Sequence, residues 1–181
     1  MLNLPNILAS ARILLAPLLL FLLLALKNET NEINISWLNY FCALIFALAC
    51  MTDFFDGYIA RSWDQKTKLG EILDPLADKM LILSAFLGLM MIQRASVWAV
   101  YIILTREFFI TGFRVVLASQ NISVQASFAG KLKTTFQMIA ISFLMMEWAY
   151  SQLLLWLAVA LTLYSGFAYI LAYIKQNKNN N

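Results

Sequence analysis

Six apolar stretches dominate the chain, and each is long enough to cross the roughly 30 Å hydrocarbon layer of a membrane as a helix. Apolar residues make up 62% of the 181 residues and charged residues only 13%, whereas soluble domains average about 45–50% and about 25%. A soluble protein of this size cannot bury so much apolar surface, and disordered, collagen-like and disulfide-rich chains have other compositions. We therefore predict an integral membrane protein. The predicted spans are Ile7–Leu26, Trp37–Ala60, Pro75–Ile92, Val97–Ala118, Leu132–Tyr150 and Leu153–Ile174.

The predicted fold is an all-α bundle of six transmembrane helices. Six glycines and three prolines are too few for the many turns of an outer-membrane barrel. The connections are short, which predicts a single membrane domain over residues 1–174, followed by a polar tail, 175–181, that we expect to be disordered. The first apolar stretch lacks the basic segment and the cleavage site of a signal peptide, so we expect it to be retained.

The distribution of basic residues predicts that both termini are cytoplasmic. In that orientation seven cations lie on the cytoplasmic side and two, Lys27 and Arg94, lie outside, as the positive-inside rule requires. The net charge of +3 is small, and nothing in the sequence indicates a nucleic-acid partner. The seven cytoplasmic cations are Arg61, Lys66, Lys68, Lys131, Lys133, Lys175 and Lys178.

Histidine is absent, so acid–base chemistry and metal binding fall to carboxylates and lysines. The two cysteines, Cys42 and Cys50, share one predicted helix. Eight residues of helix separate them by more than about 10 Å, too far for a disulfide. We interpret them as small apolar residues of a membrane helix.

Four aspartates lie in or near the predicted spans, where a charge costs about 2.5–3.5 kcal/mol. Their spacings of three and four residues put each pair on one helix face, and a hairpin folded near Gln65 brings both pairs to one level. Carboxylates without histidine or cysteine favour hard cations, Mg²⁺, Mn²⁺ or Ca²⁺. The pattern predicts a two-metal site for phosphoryl-type displacement, and interhelical salt bridges are the alternative. The aspartates are Asp53, Asp56, Asp74 and Asp78.

Small and basic residues lie between these aspartates. Gly57 and Ala60 are about one turn apart and allow a helix or a flat ligand to approach closely. Arg61 follows at the predicted membrane edge and suits a phosphate oxygen. Pro75 suits a first helical turn and predicts a helix start near Asp74. The complete pattern is Asp53-x2-Asp56-Gly57-x2-Ala60-Arg61-x8-Gly70-x3-Asp74-x3-Asp78.

This pattern of eight positions over 26 residues resembles the signature of the CDP-alcohol phosphatidyltransferase family, without a departure. The resemblance implies an enzyme of phospholipid biosynthesis in the bacterial inner (cytoplasmic) membrane, with its active site facing the cytoplasm. It implies two Mg²⁺ or Mn²⁺ ions held by the four aspartates, Asp78 as the catalytic base, contact with membrane lipids and a homodimer. The residues it implies for binding CDP-diacylglycerol are Asn6, Asp56, Gly57, Ala60, Arg61 and Gly70.

Four further cations predict an acceptor that carries a phosphate. Arg106 and Arg114 are two turns apart, and Lys131 and Lys133 follow in the next cytoplasmic segment. Together they suit the dianion of sn-glycerol 3-phosphate, which serine does not need. Their segments also resemble bacterial members of the family that use this acceptor. The alternative is that Arg106 only pairs with Glu107 and that the lysines only set topology.

From the signature and the cations we expect transfer of a phosphatidyl group from CDP-diacylglycerol to sn-glycerol 3-phosphate. The products are phosphatidylglycerophosphate and CMP. One alternative is the same chemistry on inositol phosphate, serine or phosphatidylglycerol. The other is a divalent-cation transporter, since intramembrane carboxylates also mark ion paths.

Overall fold

The chain forms six α-helices and no strand within the residues that a computed structural model describes, 4–62, 68–119 and 128–179. Side chains are described for 8–52, 76–117, 119 and 130–175. The all-α class and the number of helices are confirmed. The helices are α1 Leu4–Leu26, α2 Glu32–Ser62, α3 Lys68–Met91, α4 Val97–Ser119, α5 Phe128–Met145 and α6 Ser151–Asn179.

Three of these helices are long and apolar enough to cross a membrane, judged over the described residues. These apolar helices indicate a membrane protein. The other three, α3, α4 and α5, are not among these candidates, and the six-span topology stays a prediction. The spans found are Leu8–Leu26, Glu32–Thr52 and Ser151–Lys175.

Several helix bounds differ from the predicted spans because backbone hydrogen bonding continues through polar residues. Helix α3 begins at Lys68, so Pro75 lies more than a turn inside it and the predicted start near Asp74 is wrong. Helix α6 continues to Asn179, so the expected disorder does not begin at Lys175. The prediction that the fifth helix reaches Tyr150 is also wrong, since α5 ends at Met145.

The helices group into two compact units. Unit 1 comprises Met1–Ala95 and Ile141–Ala149, and unit 2 comprises Ser96–Ala140 and Tyr150–Asn181. In unit 1, α1 packs against α2 and α3, and α2 also contacts α3. In unit 2, α4 packs against α6.

Close packing of α1 on α3 forms the core of unit 1. Leu23 of α1 is fully buried, and a Cβ atom added to Gly88 of α3 would lie 2.6 Å from its Cδ1 atom. The missing side chain at Gly88 is therefore what allows this approach. Cys42 of α2 is buried in the same unit, and both cysteines are thiols, as predicted.

Helices α3 and α5 end in the same way. Gln93 and Glu147 adopt left-handed backbone angles, with φ of 60° and 53°. The next amide in each case bonds a carbonyl five residues back, at 2.8 Å for Arg94 to Leu89 and 3.1 Å for Trp148 to Phe143. These are Schellman motifs without glycine.

Arg94 joins the two helix ends. Its guanidinium pairs with Glu147 at 3.0 Å and donates to the backbone oxygen of Met145 at 2.9 Å and to Oδ1 of Asn39 at 2.7 Å. Asn39 is buried in α2, so this bond satisfies a polar group that would be costly to leave unpaired. The arginine thereby ties the ends of α3 and α5 to α2.

Unit 2 has a smaller core between α4 and α6. Ile110 and Leu117 of α4 pack against Tyr169 of α6. The ring of Phe113 meets those of Tyr169 and Tyr173 edge to face, with centroids 6.3 and 5.3 Å apart. These contacts extend over the C-terminal halves of both helices and fix their register.

Candidate active site

The four aspartates lie on two helices that contact each other. Asp53 and Asp56 are near the C-terminal end of α2, and Asp74 and Asp78 are in the first half of α3. Because α2 ends at residue 62 and α3 begins at residue 68, both helix ends are equally distant from the predicted midpoint at residue 65. These helix bounds are compatible with the predicted hairpin, and the meeting of the four carboxylates at one level stays a prediction.

The side chains of Asp53, Asp56 and Asp74 lie outside the described residues, whereas Asp78 is described and half-buried in α3. Among the described side chains, no three histidine, cysteine, aspartate or glutamate residues are grouped. Since three of the four predicted ligands are not among them, the predicted metal site stays a prediction. Its donor set, oxygen atoms alone, fits Mg²⁺ or Mn²⁺.

The residues expected to bind the nucleotide lie on the same two helices and on α1. Gly57, Ala60 and Arg61 are in the last turns of α2, and Gly70 is in the first turn of α3. Asn6 is in the first turn of α1. Their side-chain contacts lie outside the described residues, so their predicted role stays a prediction.

Two of the predicted acceptor cations meet at Glu107. Arg106 of α4 donates from Nη1 to Oε1 of Glu107 at 3.2 Å, and the ammonium of Lys133 of α5 contacts the same oxygen. The side chains of Arg106, Glu107 and Lys133 are 12%, 22% and 9% exposed. The Arg106–Glu107 pair is therefore present, as the alternative interpretation proposed. Arg106 and Lys133 therefore share one carboxylate oxygen.

Helix α6 also contacts this group. Nη2 of Arg106 donates to Oγ of Ser165 at 2.8 Å, and Ser165 is itself fully buried. Three residues earlier, Thr162 accepts at its hydroxyl from the amide of Gln137 of α5 at 2.9 Å. Side-chain hydrogen bonds thus link α4, α5 and α6 of unit 2.

The other two predicted cations are more exposed. The guanidinium carbon of Arg114 lies 4.8 Å from the centre of the Tyr169 ring, a cation–π contact. Lys131 is exposed in the first turn of α5. Arg114 and Lys131 therefore lie on the same two helices as Arg106 and Lys133, toward the ends that flank residues 120–127.

Sequence reasoning missed the contribution of α6. Ser165 and Gly166 stand in a stretch that reads as an ordinary membrane span. A signal was present, because Thr162, Ser165 and Gly166 put two hydroxyls and a small residue within about one turn of an apolar helix. Polar and small residues of that kind commonly mark helix–helix contacts in membranes.

Sequence comparison identifies the class of protein. The model of the CDP-alcohol phosphatidyltransferase family matches residues 2–164. The chain belongs to this family, as the aspartate pattern predicted.

Individual bacterial relatives are similar over most or nearly all of the chain. A CDP-diacylglycerol–glycerol-3-phosphate 3-phosphatidyltransferase from Bacillus subtilis is 38% identical, and the match covers 93% of this chain and 94% of the relative. A protein of the same name from Rickettsia typhi is also 38% identical, over 94% and 96% of the two chains. A third, from Cereibacter sphaeroides, is 36% identical over 78% of this chain and 62% of its own.

Proposed function

We propose that the protein transfers a phosphatidyl group from CDP-diacylglycerol to sn-glycerol 3-phosphate, releasing CMP and forming phosphatidylglycerophosphate. The observation that carries the proposal is the family signature on two contacting helices of a chain whose relatives are named for this reaction. The reaction belongs to phospholipid biosynthesis. The relatives named for glycerol 3-phosphate, which match over 93–94% of this chain, favour this acceptor over serine or inositol phosphate.

The proposed setting is the bacterial inner membrane. The apolar helices and the bacterial relatives support it. We propose six spans with both termini and the active site on the cytoplasmic side, on the strength of the charge bias. The acyl chains of the donor then remain in the bilayer while its nucleotide is in the cytoplasm.

The four aspartates are the proposed ligands of two Mg²⁺ or Mn²⁺ ions. When bound, such ions neutralise the diphosphate and stabilise charge on the oxygens of the displacement. Arg61 would hold a phosphate oxygen, and Gly57, Ala60 and Gly70 would leave room for the cytidine. Asn6 would contact the same donor.

Asp78 is the proposed general base. The primary hydroxyl of glycerol 3-phosphate forms a bond to the phosphorus that carries the diacylglycerol. The bond from that phosphorus to the CMP oxygen breaks, and the proton of the hydroxyl goes to the Asp78 carboxylate.

Arg106, Arg114, Lys131 and Lys133 are the proposed ligands of the acceptor phosphate. The grouping of Arg106 and Lys133 at one carboxylate, on two neighbouring helices that also carry Arg114 and Lys131, supports this assignment. The burial of Lys133 argues against a lysine that only sets topology, since topology signals act from exposed loops.

The proposed reaction is tested by CMP release from the purified protein in lipid vesicles. We expect release with CDP-diacylglycerol, Mg²⁺ or Mn²⁺ and glycerol 3-phosphate, and little release when EDTA is present or the acceptor is omitted. Release with serine or inositol phosphate but not glycerol 3-phosphate would assign another acceptor. Divalent-cation flux across the vesicles without any CMP release would favour a transporter.

Replacement of Arg114 by alanine should weaken acceptor binding. A charge-assisted hydrogen bond contributes about 1.5–3 kcal/mol, so the KM for glycerol 3-phosphate should rise roughly ten- to hundredfold. The KM for CDP-diacylglycerol should change little, because Arg61 and the metal ions are proposed to hold its diphosphate. Steady-state kinetics with each substrate varied in turn measures both.

A conservative variant and a control variant help to interpret the result for Arg114→Ala. Arg114→Lys should restore only part of the affinity, since an ammonium cannot make a bidentate contact. Lys175→Ala removes an exposed cation of α6 outside the proposed site and should leave both KM values unchanged. An unchanged acceptor KM in Arg114→Ala would remove Arg114 from the acceptor site.

A further inference from the structure

We propose that Ser165 and Gly166 of α6 position Arg106 for the acceptor phosphate, and are therefore specificity-determining although neither touches the substrate. We call these two residues the Arg106 socket. The inference rests on the proposed function, because it takes Arg106 to be a ligand of that phosphate. It gives α6, which carries no residue of the family signature, a defined part in choosing the acceptor.

Ser165 holds one end of the guanidinium. Its hydroxyl donates its single proton to the backbone oxygen of Thr162 at 3.2 Å, so its lone pairs are left to accept. Nη2 of Arg106 donates to that oxygen at 2.8 Å. Because Ser165 is 1% exposed, water cannot easily replace this acceptor. The hydroxyl is therefore oriented by the helix that carries it.

Gly166 makes the space that the Arg106 side chain occupies. A Cβ atom at Gly166 would lie 2.9 Å from Nε and 3.4 Å from Cγ of Arg106. The first distance is well inside the 3.5–4.0 Å of a favourable contact between heavy atoms. Any larger residue at this position must displace the arginine, while its charge and its own helix remain intact.

The opposite end of the guanidinium is held by Glu107. Nη1 donates to Oε1 of Glu107 while Nη2 donates to Ser165, so both terminal nitrogens are fixed. Each terminal nitrogen carries two N–H groups, and each of these two bonds uses one. The guanidinium is thus held at both terminal nitrogens. Each of these nitrogens still has one N–H group that can donate to a phosphate oxygen. Such preorganisation lowers the entropic cost of binding the acceptor.

Replacement of Gly166 by alanine is the decisive change. It should displace Arg106 and raise the KM for glycerol 3-phosphate roughly tenfold, the loss of about one charge-assisted hydrogen bond. The KM for CDP-diacylglycerol should not change. Gly112→Ala is the matched control, because a Cβ at Gly112 of α4 would meet no atom within 4 Å, and both KM values should equal those of the wild type.

Variants of Ser165 test the other half of the socket. Ser165→Ala should also raise the acceptor KM, and Ser165→Thr, which keeps the hydroxyl, should raise it less. In an Arg106→Ala background, Gly166→Ala should have no further effect on the acceptor KM, since the residue it acts through is gone.

Three outcomes would overturn the inference, and they are distinct. If Arg106→Ala raises the acceptor KM while Gly166→Ala and Ser165→Ala do not, the socket is wrong and the proposed acceptor site stands. If Arg106→Ala leaves the acceptor KM unchanged, Arg106 is not a ligand of the acceptor phosphate, and the proposed socket falls with that assignment. If Gly166→Ala lowers the melting temperature and raises both KM values alike, Gly166 serves only the packing of α4 on α6.

Discussion

Replacement of Asp53 by asparagine is expected to abolish turnover in a protein that still folds. The amide keeps the shape of the side chain but removes a negative charge from the proposed metal ligands. Metal ions contribute several kcal/mol of charge stabilisation to such displacements, so kcat should fall roughly a thousandfold or more. CMP release from the purified variant, with circular dichroism to verify its helices, measures the effect.

The matched control for this change is Asp64→Asn. Asp64 lies in the chain between the two aspartate pairs but outside the eight-position signature, so its variant should keep turnover close to wild type. Raising the Mg²⁺ concentration should not restore Asp53→Asn fully. Near-normal activity in Asp53→Asn would mean that the two-metal proposal is wrong and that the aspartates serve as salt bridges.

The second large effect is expected for Asp78→Asn. A general base contributes about 10²–10⁴-fold to the rate, so kcat should fall by that amount. The affinity for CDP-diacylglycerol should fall much less, because three carboxylates remain to hold metal. Single-turnover rates at saturating substrate, together with donor binding measured by calorimetry, separate the two quantities.

The comparison between these two variants assigns the roles. Asp53→Asn should weaken donor binding and chemistry together, whereas Asp78→Asn should mainly slow chemistry. If donor affinity in Asp78→Asn decreased as far as the rate, Asp78 would be a metal ligand first, and the proton acceptor would have to be another group.

The sequence predicted the number of helices well because each apolar run marks one helix. It predicted their ends poorly. Helix α3 begins at Lys68 rather than at Pro75, since hydropathy detects apolar side chains while the helix itself depends on backbone hydrogen bonds. The end of α5 was missed for another reason. Glu147 occupies the left-handed position after the helix, where a glycine usually stands and signals the helix end in a sequence.

The aspartate pattern and the group around Glu107 were predicted from the sequence to different extents. The aspartate pattern is local, so its spacing alone places it on two helix ends. The group around Glu107 joins residues from three helices, and sequence reasoning identified Arg106 and Lys133 but not Ser165. Contacts between distant segments leave only a weak trace in composition, here two hydroxyls and a glycine in an apolar helix.

The close packing at Gly88 also bears on how the protein is made. Leu23 and Gly88 are 65 residues apart in the chain, and at about 5–20 residues per second the ribosome needs roughly 3–13 s to synthesise that interval. In the proposed membrane setting, α1 remains in the bilayer during this time without the surface of α3 that later covers Leu23. Its continuous apolar sequence from Ile13 to Leu26 makes that delay tolerable, because lipid can surround every face. The glycine then lets α3 fit against side chains of α1 that are already inserted, so we expect α1 to enter the membrane before it packs against α3.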